Sequence, residues 1–75
     1  MGAADNRINP RKLLLSKWTA TQPQTLEKHF QVIKLYRDQQ DKLIDVELLA
    51  VVTGRSQRIA WQQLKASERW LMGWK

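Results

Sequence analysis

The sequence predicts a mainly β domain: a small curved antiparallel sheet of three to four strands, or an open barrel, capped by a short C-terminal helical segment. Residues 29–37 and 43–52 are rich in β-branched and aromatic residues, and a short polar turn separates them. A Thr-Gly-Arg-Ser sequence at 53–56 indicates a second hairpin, because glycine supplies the positive φ of a II′ turn. Seventy-five residues suffice for one domain with a modest core.

The N-terminal region is predicted to contain an arm and one helical turn. Residues 1–8 are small and polar and show no periodicity, so we expect a disordered arm followed by a single domain over 9–75. Asn9 and Pro10 then predict the start of a short helical turn, with asparagine as the cap and proline at the first helical position.

A first strand is predicted over 17–20, where tryptophan and threonine favour extended structure. Residues 21–25 are expected to form a loop, because Pro23 lacks the N–H that a strand ladder requires.

The central hairpin is the clearest part of the pattern, with its turn placed at 38–41. That turn sets a register in which three pairs lie opposite each other: Leu35 with Ile44, Ile33 with Val46, and Lys34 with Asp45. The second hairpin is predicted to pair Ala50 with Ile59 and Leu48 with Trp61. The next strand then runs over 57–61.

These registers predict one apolar face and one divided face. The apolar face carries Ile33, Leu35, Ile44, Val46, Leu48, Ala50, Val52, Ile59 and Trp61. The other face carries Phe30, Val32, Leu49, Val51 and Ala60 near one end, and Lys34, Asp45 and Glu47 near the first hairpin tip. A sheet that is buried on one side and half-buried on the other is expected to be curved.

The C-terminal region is predicted to leave the sheet. Residues 62–65 suit one helical turn, and Ser67 and Gly73 suit the start and end of a second one. Trp61 follows the apolar alternation and is expected in the core, and Trp18 is expected to be partly buried. Trp70 and Trp74 are expected to be exposed, because they lie beyond the last predicted strand.

The overall charge is basic, with 13 Lys and Arg against 7 Asp and Glu, which gives a formal net charge of +6. A basic surface favours polyanions such as nucleic acid. No apolar run approaches the roughly 18 residues of a membrane span, and no signal peptide is recognisable. The sequence lacks cysteine. We therefore expect a cytoplasmic protein without disulfides, a thiolate zinc site or a membrane partner.

Catalysis is not predicted. His29 is the single histidine, and each serine has a structural explanation as a strand, turn or cap residue. The carboxylates of Asp45 and Glu47 share a strand face but do not converge with further ligands, and no phosphate-binding loop is present. We expect no catalytic residues, no metal site and no cofactor.

Binding is the remaining function, because tryptophans lie among cations near both chain ends. The first hypothesis is RNA or single-stranded DNA, held by stacking on tryptophan and by cationic contacts to phosphates. Its candidate residues are Trp70, Trp74, Arg69, Lys65, Arg58, Arg55, Lys17, Lys12 and Arg11. The alternative is a protein-interaction module, in which a Trp70/Trp74 patch or a sheet edge docks a partner or a second copy. A fully buried tryptophan cluster under a solvated basic face also stays open, as does the oligomeric state.

Several stretches together resemble a family of short tryptophan-rich conserved hypothetical bacterial proteins. They are Asn9-Pro10 with Lys12-Leu13-Leu14, the Ser-Lys-Trp-Thr-Ala run at 16–20, Lys28-His29-Phe30, Thr53 with Arg55-Ser56, Trp61 with Leu64-Lys65, Ser67-Glu68, Trp70 and Gly73-Trp74. The resemblance covers about residues 9–75. It implies a small bacterial domain, and it brings no catalytic or ligand residues.

Overall fold

The computed structural model describes residues 6–24 and 26–75. It confirms the mainly β class, since five antiparallel strands form one open sheet in the order β4-β3-β2-β1-β5. The strands are β1 Lys17–Gln24, β2 Glu27–Arg37, β3 Leu43–Ala50, β4 Ser56–Ala60 and β5 Trp70–Met72. Two 3₁₀ turns, Pro10–Lys12 and Trp61–Lys65, complete the regular structure of the described residues.

The first 3₁₀ turn begins as predicted. The Asn9 side chain accepts a hydrogen bond from the Arg11 backbone N–H at 3.0 Å, and Pro10 opens the turn. Of the predicted arm at 1–8, residues 1–5 lie outside the described residues. The Asn6 side chain donates to the carbonyls of Leu64 and Trp70, at 2.8 Å each. The chain from Asn6 onward therefore lies against the second 3₁₀ turn.

Strand β1 is longer than predicted, because it continues through Pro23 to Gln24. The loop expected over 21–25 is therefore wrong for 21–24, and residue 25 lies outside the described residues. Pro23 is tolerated because β1 pairs with β5 only through residues 18–20, and the pairing with β2 is irregular between Thr19 and Gln24. The missing N–H thus falls where the ladder is already interrupted.

A β-bulge at Ile33 and a second irregularity near the turn overturn the predicted register of the central hairpin. Val32 lies opposite Leu48, but Lys34 lies opposite Glu47, so two residues of β2 oppose one residue of β3. A second irregularity lies nearer the turn, where Arg37 pairs with Leu43 but Tyr36 pairs with Asp45. It leaves Ile44 without a directly opposite residue, and Leu35 faces Val46 instead of Ile44. The bulge reverses the alternation along β2. Phe30 and Val32 therefore lie with the core residues, and Ile33 and Ile44 are each 40% exposed.

The core occupies one face of the sheet, which we call the inner face. Its buried members are Trp18, Phe30, Val32, Val46, Leu48 and Ala50 from the strands, with Leu13 and Leu64 from beside and within the 3₁₀ turns. Trp18 is only 1% exposed, so it is more deeply buried than expected, and its indole N–H donates to the Ser16 hydroxyl at 2.8 Å. Trp61 packs against this cluster, half-buried.

The second hairpin turns earlier than predicted. Strand β3 ends at Ala50, and Val51 and Val52 belong to the turn. The Gly54 N–H donates back to the Ala50 carbonyl at 2.8 Å. Gly54, at a φ of +77°, then turns the chain so that the Arg55 carbonyl accepts from the Ala50 N–H at 2.7 Å. Ile59 therefore lies opposite Val46, and the predicted pairing with Ala50 is wrong.

A fifth strand replaces the second helical turn expected near the C-terminus. The 3₁₀ turn at Trp61–Lys65 confirms the first turn, but Trp70–Met72 pairs with β1, with Trp70 opposite Ala20. Strand β1 would otherwise present unpaired backbone groups along that edge. Gly73, at a φ of +83°, then directs the chain across the second face of the sheet. The local sequence favours a turn at this segment, but its backbone pairing with β1 makes it a strand.

Candidate functional site

The second face of the sheet, the outer face, carries polar, charged and aromatic side chains. The register places Lys17 opposite Gln31, Lys34 opposite Glu47, and Glu47 opposite Arg58, so these side chains share one surface across four strands. Apart from buried Thr19, the outer-face residues of these strands are half-buried or exposed. This face is therefore open to a binding partner.

One end of the outer face is built around Trp74. Thr19 anchors the C-terminal residues, because its hydroxyl donates to the Gly73 carbonyl at 2.7 Å and accepts from the Lys75 N–H at 2.9 Å. The Trp74 indole N–H donates to the Phe30 carbonyl at 3.0 Å. These hydrogen bonds hold Trp74 against β1 and β2 while 42% of the residue stays exposed.

A cation and an imidazole flank the Trp74 ring. The Lys17 Nζ lies 4.6 Å from the Trp74 ring centroid, within the range of a cation–π interaction. The His29 ring centroid lies 5.9 Å from that of Trp74, and its Nε2 lies 3.0 Å from the Lys75 carbonyl oxygen. We call Trp74, Lys17 and His29 the Trp74 cluster.

The other end of the outer face is built around Tyr36. The Arg58 guanidinium carbon lies 3.9 Å from the Tyr36 ring centroid, and the Lys34 Nζ lies 5.0 Å from it. The Tyr36 hydroxyl donates to Glu47 at 2.8 Å, and Arg58 pairs with Asp45 at 2.8 Å. These five residues form the Tyr36 cluster. The predicted pairing of Lys34 with Asp45 is wrong, because Asp45 lies opposite Tyr36 and Glu47 lies opposite Lys34.

Hydrogen bonding shifts two pKa values in the Tyr36 cluster. Hydrogen bonds from Ser56 and then from Tyr36 lower the pKa of Glu47 below its ordinary value of 4.5. The same Tyr36–Glu47 hydrogen bond raises the pKa of the Tyr36 phenol above its ordinary value of 10.0. Both shifts favour a charged carboxylate that accepts from a neutral phenol.

Charge is unevenly distributed between the two clusters. In the Tyr36 cluster, Lys34 and Arg58 are offset by Asp45 and Glu47. In the Trp74 cluster the cation Lys17 lies directly on an exposed aromatic ring. The seven-residue separation from His29 to Tyr36 along β2 corresponds to about 23 Å at strand spacing. The Trp74 cluster is therefore the cationic end of an extended face.

The structure does not gather the nine predicted contact residues at one site. Trp74, Lys17 and Arg58 share the outer face. Trp70 lies on the inner side, half-buried, with its ring edge-to-face against Phe30 at 5.3 Å, and exposed Arg69 precedes it. The others are dispersed: Arg55 pairs with Glu27 at 2.9 Å, Lys65 lies 4.8 Å from the Trp61 ring, and Arg11 and Lys12 are exposed on the first 3₁₀ turn.

The sequence hypothesis missed Tyr36 and Lys34 as members of an outer-face cluster. Their signal was the Lys-Leu-Tyr alternation at 34–36, which places a cation and a ring on the same strand face. This signal was not used, because aromatic rings were expected inside so small a domain. A single Trp70/Trp74 patch is likewise not formed, because the two rings lie on opposite faces of the sheet.

In residues 6–24 and 26–75, no three His, Asp or Glu side chains converge as metal ligands would. Over the same ranges, no helix has the length and apolar character that a bilayer span requires.

Comparison with known proteins identifies a family. A family model described as "Tryptophan-rich protein (DUF2389)" matches residues 16–75. Neither the curated proteins nor the solved structures include a significant match to the chain.

Proposed function

We propose that this chain, which belongs to the tryptophan-rich protein family DUF2389, binds RNA or single-stranded DNA on the outer face of its sheet. The observation that carries the proposal is Trp74, a residue that is 42% exposed and has the Lys17 ammonium 4.6 Å from its ring centroid. An exposed aromatic platform beside a cation is the arrangement that holds single strands without base pairing.

In this proposal, the Trp74 ring stacks on a base and the Lys17 cation contacts a phosphate. A base stacked on the accessible part of the Trp74 indole contributes about 1–3 kcal/mol. Lys17 contacts the neighbouring phosphate, and the hydrogen bond to the Phe30 carbonyl keeps the indole in one orientation before the ligand arrives. The Tyr36 cluster extends the binding surface, because the Arg58 guanidinium lies 3.9 Å from the Tyr36 ring centroid and offers a second planar group for stacking.

Salt dependence tests the proposal. Fluorescence anisotropy of labelled oligouridylate and oligothymidylate should show log affinity falling linearly with log salt, by about 0.7 per phosphate contact. Lys17→Gln should lower the affinity and reduce the slope by about one contact. Lys42→Gln is the matched control, because it removes the same charge from the turn between β2 and β3, away from the Trp74 cluster.

Two results would contradict the proposal. One is the absence of oligonucleotide binding at low salt. The other is an equal effect of the Lys17 and Lys42 substitutions, which would mean that only net charge matters.

A protein partner is the second candidate function, and the exposed edge of β5 favours it. Strand β5 ends the sheet, and Leu71 and Met72 are 37% and 47% exposed on it. An open edge with apolar side chains can accept a strand from a partner or from a second copy. Such binding should respond weakly to salt, and Met72→Lys should abolish it, as measured by sedimentation of the chain over a range of concentrations.

The proposed setting is the bacterial cytoplasm, and the proposed role is non-enzymatic. The sequence has no cysteine and a formal charge of +6, which suits a reducing compartment rich in nucleic acid. Fractionation of cells that produce a tagged chain tests the location, since a tag recovered outside the cytoplasmic fraction would contradict it.

A further inference from the structure

A groove on the inner side of the sheet separates β4 from β1 and β5. The curvature of the sheet brings these strands to either side of a space of about 310 Å³. Its walls include Gln22 from β1, Gln57 and Ile59 from β4, Gln63 from the second 3₁₀ turn, and Arg69 and Trp70. The volume lies at the lower end of the range for small-ligand sites, which is about 300–1,000 Å³.

Carboxamides and a guanidinium supply most of the polar groups of the groove walls. Three carboxamides each offer both hydrogen-bond donors and an acceptor, and the Arg69 guanidinium offers donors only. Carboxylates are absent from the described residues that line the space. Across the described chain, the side-chain amides of Gln57 and Gln63 have no protein hydrogen-bond partner. These groups favour a neutral or anionic ligand whose edge alternates donors and acceptors.

Trp70 supplies a rigid aromatic wall. Its ring packs edge-to-face on buried Phe30 at 5.3 Å, and its backbone pairs with Ala20 in the sheet. A half-buried ring held in this way offers a fixed surface for stacking and loses little conformational freedom when a ligand binds. The ligand that matches both the ring and the carboxamides is planar and aromatic, with polar atoms on its edge.

We infer that this groove binds one nucleobase, which stacks on Trp70 while the glutamine amides read its edge. The inference rests on the proposed function, because the base comes from a strand that the outer face holds. Strand β5 is three residues long and forms the sheet edge. Trp70 lies on the inner side of the sheet, and the chain turns at Gly73 so that Trp74 lies on the outer face, against β1 and β2. A single strand that contacts both rings must pass around this edge. A free nucleotide presents the same base and is the other source of the ligand.

Base preference tests the inference. Anisotropy is measured for the four homopolymeric oligoribonucleotides with the wild-type chain, with the double variant Gln57→Ala/Gln63→Ala, and with Gln39→Ala as the control at the first hairpin tip. The wild type should prefer one base, and the double variant should reduce that preference about tenfold. Trp74→Ala should weaken all four oligonucleotides by similar factors. Thermal melts of each variant establish that it is folded.

The outcomes separate the groove from the outer face. Equal wild-type affinity for all four homopolymers, or an unchanged preference in the double variant, overturns the groove and leaves the proposed function standing. Absence of all oligonucleotide binding overturns the proposed function. The groove is then judged by nuclear magnetic resonance with free mononucleotides: a shift of the Trp70 indole N–H signal with the Gln57 and Gln63 side-chain signals supports it, and unchanged signals overturn it.

Discussion

The same substitution at Trp70 and Trp74, four residues apart, should have opposite consequences. Trp74→Ala should weaken single-strand binding and leave the domain folded, because the residue is 42% exposed on the outer face. Trp70→Ala should mainly destabilise the domain, because the ring packs on Phe30 beside the core. The sequence predicts that both rings are exposed, so the comparison tests what the tertiary structure adds.

The magnitudes follow from the contacts. Trp74→Ala removes one hydrogen bond to the Phe30 carbonyl, about 1 kcal/mol, and one cation–π contact with Lys17, about 0.5–1 kcal/mol. Its binding loss should be about 1–3 kcal/mol, or about 5- to 150-fold in affinity. A fully buried Trp→Ala change costs about 3–5 kcal/mol, so the half-buried Trp70 should lose about 2–4 kcal/mol. The total free energy of unfolding of a domain of 75 residues is about 4–11 kcal/mol.

Urea unfolding followed by circular dichroism measures the two stability losses, and oligonucleotide anisotropy measures the affinity. Trp74→Phe is the matched control, because it keeps an aromatic ring and loses the indole N–H. It should retain most of the affinity and lose about the stability of one hydrogen bond. If Trp74→Ala costs more stability than Trp70→Ala, or leaves the affinity within twofold, the assignment of core and contact roles is wrong.

Three further predictions concern stability. The pKa values of Glu27 and Glu47 are lowered in the folded state, mainly by hydrogen bonds from hydroxyl groups; the stability they add is therefore present above pH 4.5 and lost as the pH falls through the lowered values. The double variant Glu27→Gln/Glu47→Gln should flatten this acid dependence of the urea midpoint. An unchanged profile would contradict the assignment. Ser16→Ala leaves the buried Trp18 N–H without its acceptor and should cost about 1–3 kcal/mol in urea unfolding; a loss under 0.5 kcal/mol would refute this role. Gly54→Ala should cost about 1–2 kcal/mol by backbone strain alone, since nothing lies within 4 Å of the added Cβ; Gly54→Asn should lose less, and equal losses would count against strain.

Local patterns account for the parts of the fold that sequence reasoning obtained. The Asn9-Pro10 cap, the positive φ at Gly54 and the helical turn beginning near Trp61 each depend on residues a few positions apart. The alternation in β2 and β3 likewise identifies two strands without any knowledge of their partners. These features agree with the mainly β class of the structure.

Register could not be obtained in this way. Shifting a hairpin by two residues keeps the same alternation, so the sequence pattern fits both the predicted Leu35–Ile44 pair and the observed Leu35–Val46 pair. The bulge at Ile33 becomes favourable only when Phe30 and Val32 can join Leu48 and Ala50 in the core. That gain depends on Leu13 and Leu64, which lie far away in the chain.

The sequence by itself thus determined that this is a small, basic, tryptophan-rich β domain. The number of aromatic rings and the number of charges can be read from the sequence without any knowledge of the fold. Only the tertiary structure decided that Trp74 lies on Lys17 at the outer face and that Trp70 lies beside Phe30 at a groove. The reason is that β5 forms only when the edge of β1 is available to pair with it, and that pairing directs each indole to one side of the sheet.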